Sequence, residues 1–215
     1  GNYPAPPRLL DAVRTGLEEG LEAGLDAEQR HFCDLVFTPE SQALVSLFFA
    51  KRSAETNPRP EAARPVETVG VLGAGLMGSG IAQVTAERGP DVVLKDQSLA
   101  LAAQGKKAVW DAFETQRDQG ILNAFSRDRK ADRVVPTADY APLRTCDLVI
   151  EAVPEDLSIK HDVLAAVEAV VGPDTVLASN TSALPIARIA EGVNDPSRVL
   201  GMHYFSPVPD IPLLE

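Results

Sequence analysis

The sequence predicts an α/β fold, a mostly parallel sheet with helices on its faces, preceded by a short α-helical appendage. Three observations carry this. From residue 66 on, short apolar runs of strand length alternate with longer stretches of helical period. A break rich in proline, small and charged residues over 52–65 separates that region from what precedes it. A glycine cluster, Gly73-Ala74-Gly75-Leu76-Met77-Gly78, directly follows one apolar run and opens a helical stretch.

The elements follow in order. The first fifty residues read as helical. Leu10, Val13, Leu17 and Leu21 recur at spacings of three and four, which puts them on one helical face. Thr38-Pro39-Glu40 reads as an N-cap, a proline in the first turn and an acid beside it. Leu44, Leu47 and Phe48 give that second helix its apolar stripe. Two amphipathic helices cannot bury both stripes by themselves, so the appendage requires a partner. The boundary falls in the proline-rich break, giving domains 1–62 and 63–215.

In the second domain, strands are expected at 69–72, 92–94, 147–152, 175–178 and 199–202. Helices are expected at 77–88, from 99 to about 116, at 157–171 and at 184–190. Strand–helix alternation implies right-handed crossovers and parallel strands.

Composition bounds the function. The 215 residues are 45% hydrophobic and 24% charged, an ordinary globular balance. A formal net charge of −11 argues against a polyanion partner, because phosphate contacts on a nucleic acid need Lys and Arg. The same charge does not exclude a small phosphorylated ligand, which a helix N-terminus can hold without a basic patch. The two cysteines, Cys33 and Cys146, fit no metal or redox spacing and read as buried reduced thiols. No metal site is expected. No apolar run reaches the ~20 residues of a membrane-spanning helix. The opening Gly1-Asn2-Tyr3-Pro4 lacks a secretory signal pattern and reads as entry in mid-domain, with Gly1 a cloning remnant.

The glycine cluster matches G-x-G-x-x-G. Alone the string is weak. Here a strand precedes it, a helix follows it, and an acid, Asp96, stands eighteen residues past Gly78 at the end of the next strand. Each part has a task in a Rossmann doubly wound sheet. Gly73 permits the tight turn, Gly75 lets the backbone approach a pyrophosphate, and Gly78 lets helix and strand pack closely. Leu76 and Met77 open the helix whose free N–H groups face the phosphates. Asp96 can accept hydrogen bonds from the adenosine ribose and would repel a 2′-phosphate, so NAD is expected over NADP, although Lys95 is adjacent. The competing reading is a glycine-rich turn with no cofactor.

Four blocks extend this reading: 73–83 around the glycines, Val149-Ile150-Glu151-Ala152-Val153-Pro154-Glu155-Asp156, Ala178-Ser179-Asn180-Thr181-Ser182-Ala183-Leu184, and Gly201-Met202-His203-Tyr204-Phe205-Ser206-Pro207. In their order and spacing the chain resembles the 3-hydroxyacyl-CoA dehydrogenase family. It is most similar to the dehydrogenase part of the α subunit of the trifunctional protein and of bacterial fatty-acid oxidation complexes. The first 62 residues are similar to the end of an enoyl-CoA hydratase domain with its connecting helix.

The resemblance implies roles. His203 would be the catalytic histidine and Glu215 the carboxylate that orients it. Ser182 would lie near the substrate's 3-oxygen and the nicotinamide. Val153, Pro154, Glu155 and Lys160 would border the cofactor. Ser206 stands where family members commonly have Asn, and Pro209 and Asp210 also depart from the pattern. The implied reaction is oxidation of a 3-hydroxyacyl-CoA to the 3-ketoacyl-CoA in fatty-acid β-oxidation, with hydride passing to NAD. The chain ends at Glu215, before the helical domain that in the family closes over substrate, so NAD binding with little turnover is expected of it alone, and no hydratase activity. Implied partners are the acyl-CoA substrate, the missing helical domain and a thiolase β subunit, with membrane association of the full complex. The implied location is the cytoplasm of a bacterium or the mitochondrial matrix of a eukaryote.

Histidine suits such chemistry because its ordinary pKa, about 6.5, lies near working pH, and a carboxylate on its other nitrogen fixes the tautomer. By position alone a histidine after a strand is more often structural. His161 reads as surface, His31 as structural, Glu151 as a strand-end carboxylate with a packing role, Trp110 as core or interface, and Ser182 without the resemblance as a cap. Two alternatives stay open: another Rossmann dehydrogenase of short β-hydroxy acids, and a non-catalytic module whose helices dock another subunit.

Overall fold

The computed structural model describes residues 3–215; Gly1, read above as a cloning remnant, and Asn2 lie outside the described residues. The chain divides into two compact units, Gly1–Arg64 and Pro65–Glu215.

The first unit is helical. Helix α1 spans Ala5–Glu19, α2 Leu21–Val36 and α3 Pro39–Ala54. The sequence suggested one helix running through Leu21, but Gly20 adopts φ 103° and breaks it. A left-handed residue cannot continue an α-helix, and glycine takes that conformation without steric cost. Leu21 therefore opens α2 instead of extending the α1 stripe. The hairpin closes tightly because a Cβ on Gly24 would stand only 2.7 Å from the Gly16 Cα. His31 is structural: its Nε2 lies 2.8 Å from an Asp11 carboxylate oxygen, joining α2 to α1. Thr38 caps α3 as read, its hydroxyl accepting from the Ser41 N–H at 3.3 Å. The apolar stripes stay exposed, with Leu17 84% and Leu47 65% accessible. Cys33 is also exposed, against expectation.

The second unit is a six-stranded sheet in the order β3-β2-β1-β4-β5-β6. The strands are β1 Thr68–Leu72, β2 Asp91–Lys95, β3 Val134–Thr137, β4 Leu148–Glu151, β5 Val176–Ser179 and β6 Val199–Gly201. All five pairings are parallel. The helices are α4 Leu76–Arg88, α5 Leu99–Asp118, α6 Ala124–Asp132, α7 Leu157–Glu168 and α8 Ile186–Ala190. The central strands read as near-continuous apolar runs because both faces are covered. One face packs Val71, Ile81, Leu94, Val109, Phe113 and Ile150. The other packs Leu72, Val149, Leu164, Leu177 and Ile189.

Two elements escaped the sequence reading, α6 and β3. β3 reads Val-Val-Pro-Thr, and proline argues against a strand. It is tolerated because β3 is an edge strand, so Pro136 can pair with Leu94 of β2 on one side without owing an N–H to the other. α7 also ends at Glu168 rather than 171, and α8 begins at Ile186 rather than 184. Trp110 is partly buried against the core, with the Arg127 guanidinium 4.2 Å above its ring. Cys146 is buried as expected, and burial pushes its thiol up to about 12, so it is inert at neutral pH.

This strand order has its switch point between β1 and β4, where chains leave in opposite directions. The carboxyl ends of these two strands therefore flank a crevice, the place where open α/β sheets bind ligands.

Candidate cofactor site and acid–base pair

The crevice is built first by the glycine turn. Gly73 sits at φ 91°, and a Cβ there would meet the Ala152 carbonyl oxygen at 2.7 Å. The turn is thus pressed against the end of β4. A Cβ on Gly78 would lie 1.7 Å from the Gly73 carbonyl oxygen, so α4 can approach β1 this closely only with glycine there. Gly75 differs: a Cβ there meets nothing within 4 Å. The two flanking glycines answer to protein packing, whereas Gly75 borders open space, as a ligand approach requires.

Gly75 is also the N-cap of α4 and makes no side-chain cap bond. The first-turn N–H groups, at Leu76, Met77 and Gly78, have no partner within the helix. They aim the positive end of the helix dipole at the crevice. Leu76 is exposed and Met77 packs on the core. Sequence reasoning missed two glycines that hold this corner. Gly105 lets α5 pack on the turn, where a Cβ would stand 2.7 Å from the Ala74 Cβ. Gly80 lets the C-terminal loop pack on α4, its position 2.9 Å from the Val208 Cβ. Their signal was small residues inside helices, which cost stability unless something packs there.

Asp96 ends β2 beside the turn. One carboxylate oxygen accepts from the Ala74 N–H and the other from the Gln97 N–H, each at 2.6 Å. The acid thus braces the glycine turn while its remaining lone pairs stay available to ribose hydroxyls. Lys95 turns away, its ammonium 4.0 Å over the Tyr140 ring.

Across the crevice, Val153 and Pro154 follow β4, Val153 half-buried and Pro154 exposed. Asp156 caps α7, accepting from the N–H groups of Ser158 and Ile159. Glu155 closes on the loop after β5: its Oε1 accepts from the Thr181 hydroxyl, from the Ser182 N–H at 3.1 Å and from the Ala183 N–H at 3.2 Å. Partial burial raises the Glu155 pKa, but these bonds and Lys160 outweigh it and hold the carboxyl below the usual range. Lys160, expected to border the cofactor, is 1% accessible, with its ammonium between Glu151 and Glu155. The same ammonium lies 3.5 Å from the Val153 carbonyl oxygen, so it stands directly behind both Val153 and Glu155 at the crevice wall. The cap in this loop is Thr181 rather than Ser182: its hydroxyl accepts from the Leu184 N–H at 3.0 Å. Ser182 is exposed.

His203 follows β6. Its Nδ1 lies 3.3 Å from a Glu215 carboxylate oxygen. The two residues also exchange backbone bonds, His203 N–H to Glu215 O at 2.8 Å and Glu215 N–H to His203 O at 3.1 Å. Tyr204 pairs with Leu214 beside them. A short antiparallel return thus brings residues twelve apart into register and leaves Nε2 for other work. The Tyr204 N–H donates to the Asn180 side-chain oxygen at 2.8 Å, tying this segment to the Ser182 loop. Ser206 is exposed and lies in the same segment. His161 is not a free surface residue: its Nε2 lies 2.7 Å from the Arg188 carbonyl oxygen, and Gly192 packs on its ring.

Residues 68–215 match the profile of the 3-hydroxyacyl-CoA dehydrogenase NAD-binding domain. The chain belongs to the 3-hydroxyacyl-CoA dehydrogenase family. Solved structures agree. FadB2 of M. tuberculosis is 41% identical with a TM-score of 0.68, over 70% of this chain and 53% of that one. The (S)-3-hydroxybutyryl-CoA dehydrogenase of Ralstonia eutropha is 34% identical at the same TM-score, 0.68, over 70% and 53%. The dehydrogenase part of multifunctional enzyme 1 from C. elegans is 25% identical with a TM-score of 0.63, over 74% and 38%. The chain spans about half the length of the first two, 53% of each. The cofactor is NAD, and the glycine turn, the free end of α4 and Asp96 fit it.

The Glu155 bonds give a pH dependence. Because its folded pKa is depressed, its stabilisation is complete above the ordinary glutamate value, about 4.3, and is lost as pH falls through the lower folded value. Melting temperature followed from pH 7 down to about 3 should therefore fall less steeply at the acid end in Glu155→Gln than in the parent. Parallel acid limbs would contradict the assignment.

Proposed function

We propose that this domain performs the cofactor-binding and acid–base part of L-3-hydroxyacyl-CoA oxidation to the 3-ketoacyl-CoA, a step of fatty-acid β-oxidation. The observation that carries the reading is the His203–Glu215 pair at the carboxyl edge of the sheet, tied to the Ser182 loop. His203 Nε2 takes the proton of the 3-hydroxyl as the alcohol carbon is oxidised. Glu215 on Nδ1 fixes the tautomer that leaves Nε2 unprotonated and stabilises the imidazolium that forms. Ser182 offers a hydroxyl to the same oxygen, and Ser206 a second polar contact along the loop. Gly73, Gly75, Leu76, Met77 and Gly78 receive the pyrophosphate, Asp96 the adenosine ribose, and Val153, Pro154 and Glu155 the nicotinamide side. Bound NAD supplies the hydride acceptor.

Efficient oxidation also requires substrate held close and water excluded. The relatives' remaining length supplies that in this reading, so the chain alone binds NAD with little turnover. The helical first unit is read as the end of an enoyl-CoA hydratase-like domain. The rival activity is oxidation of a free β-hydroxy acid. A comparison of 3-hydroxyacyl-CoA with the matching free acid, in an enzyme carrying this domain at the full length of its relatives, decides between them. The CoA thioester should be preferred at least about tenfold in kcat/KM, one strong interaction's worth. Equal use of the free acid would overturn the proposal.

A further inference from the structure

The end of β4 carries a buried charged group that neither the cofactor turn nor the acid–base pair uses. Glu151 is 0% accessible, in register between Leu72 of β1 and Ser179 of β5. Lys160, on α7, is 1% accessible. The Lys160 ammonium donates to both Glu151 oxygens, at 2.8 and 2.9 Å, and lies 3.3 Å from Glu155 Oε2. The Ser179 hydroxyl also donates to Glu151.

A buried ion pair is weak as a stabiliser, since losing two hydration shells cancels much of its attraction, and packed apolar residues serve a core as well. What distinguishes this pair is its third member. Glu155 is partly exposed, and its other oxygen holds the Thr181 hydroxyl and the Ser182 and Ala183 N–H groups. A continuous chain of charge-assisted bonds therefore runs from the sheet interior to the turn that carries Ser182. Each link is ionic on at least one side, and such bonds are the strongest and most directional available.

We infer that Glu151 and Lys160 form a positioning pair, fixing Glu155 and through it the Thr181–Ala183 turn on the nicotinamide side of the site. The part played by Ser182 in catalysis rests on the function proposed above; the bonding chain does not. Burial pushes the Glu151 carboxyl above its ordinary range against the pull of Lys160 and Ser179, whereas Glu155 is held below that range and carries the negative charge at the exposed end, where it collects the turn's donors. Lys160 thereby acts on the site from inside the sheet, in addition to any contact of its own at the crevice wall, where its ammonium lies 3.5 Å from the Val153 carbonyl oxygen.

The test uses this chain without cofactor and then with NADH. Lys160→Met alone strands a buried carboxylate, so the informative variant is Glu151→Gln with Lys160→Met, which removes both charges and keeps the volume. We expect it to melt within a few degrees of the parent. Its Ser182 and Ala183 amide resonances should move, in the direction seen in Glu155→Gln. Its NADH affinity should fall about tenfold, the worth of one charge-assisted hydrogen bond. A folded double variant whose Ser182 and Ala183 amides stay in place overturns the inference even if NADH binding weakens, because the loss would then assign Lys160 to direct cofactor contact. Moved amides with unchanged NADH affinity overturn it also. Should the double variant not fold, Glu151→Gln alone is judged by the same criteria. A parent chain that binds no NADH would count against the cofactor reading instead, and the amides would still decide the bonding chain.

Discussion

Gly78→Ala is expected to abolish NADH binding and to destabilise the second unit, although alanine is in general the better helix former. The added Cβ would stand 1.7 Å from the Gly73 carbonyl oxygen, where real contacts begin at 3.0 Å. The two groups must part by about 1.3 Å, and neither can give cheaply, since one is turn backbone and the other is α4 itself. Overpacking of this kind costs about 1–3 kcal/mol. The same displacement moves the free N–H groups of α4 off the crevice, so affinity should fall about a hundredfold or more. Gly75→Ala is the control. Nothing lies within 4 Å of its added methyl, so it should melt as the parent does while still weakening NADH. If Gly75→Ala bound NADH normally, Gly75 would border no ligand.

His203→Gln carries the largest effect on chemistry. In an enzyme that carries this domain at the relatives' full length, kcat should fall by about 10²–10⁴, the span ascribed to a positioned general base. NADH affinity should stay within about twofold, because in the proposed reaction His203 serves the alcohol proton and not the pyrophosphate. Glu215→Gln should lose less, since Nδ1 keeps a hydrogen-bond acceptor but the imidazolium loses its counter-charge. Retained dehydrogenation in His203→Gln would refute the acid–base assignment and favour a scaffold role for the domain.

Much of this was legible in the sequence for a physical reason. Strands buried on both faces, such as Val69 to Leu72, must be apolar throughout, and the turn after them must be glycine wherever backbone approaches backbone. Those constraints are local, so they can be read locally. β3 was not legible because its acceptability depends on its place at the sheet edge, which topology decides and sequence does not print. Helix α6, in the same unread stretch, has Asn123 as its cap, but its polar residues offer little apolar periodicity. At the site, Gly73, Gly75, Gly78 and Asp96 followed from spacing, whereas His203, Glu215 and Ser182 rested on family resemblance. No rule of spacing would pair His203 with Glu215 across a chain return. Glu151 was read as a strand-end packing group and Lys160 as a cofactor neighbour. Their union became visible only when α7 laid one against the other inside the sheet.

If the glycine turn and Asp96 form a working NAD site, this chain binds NADH in preference to NADPH. Titrating this chain with NADH, followed by nicotinamide fluorescence and with NADPH as the control, measures that preference. The structure predicts saturable NADH binding and NADPH binding weaker by at least about tenfold, since the Asp96 carboxylate meets the 2′-phosphate with like charge. NADPH binding as tight as NADH, or no binding of either by a folded chain, would contradict it.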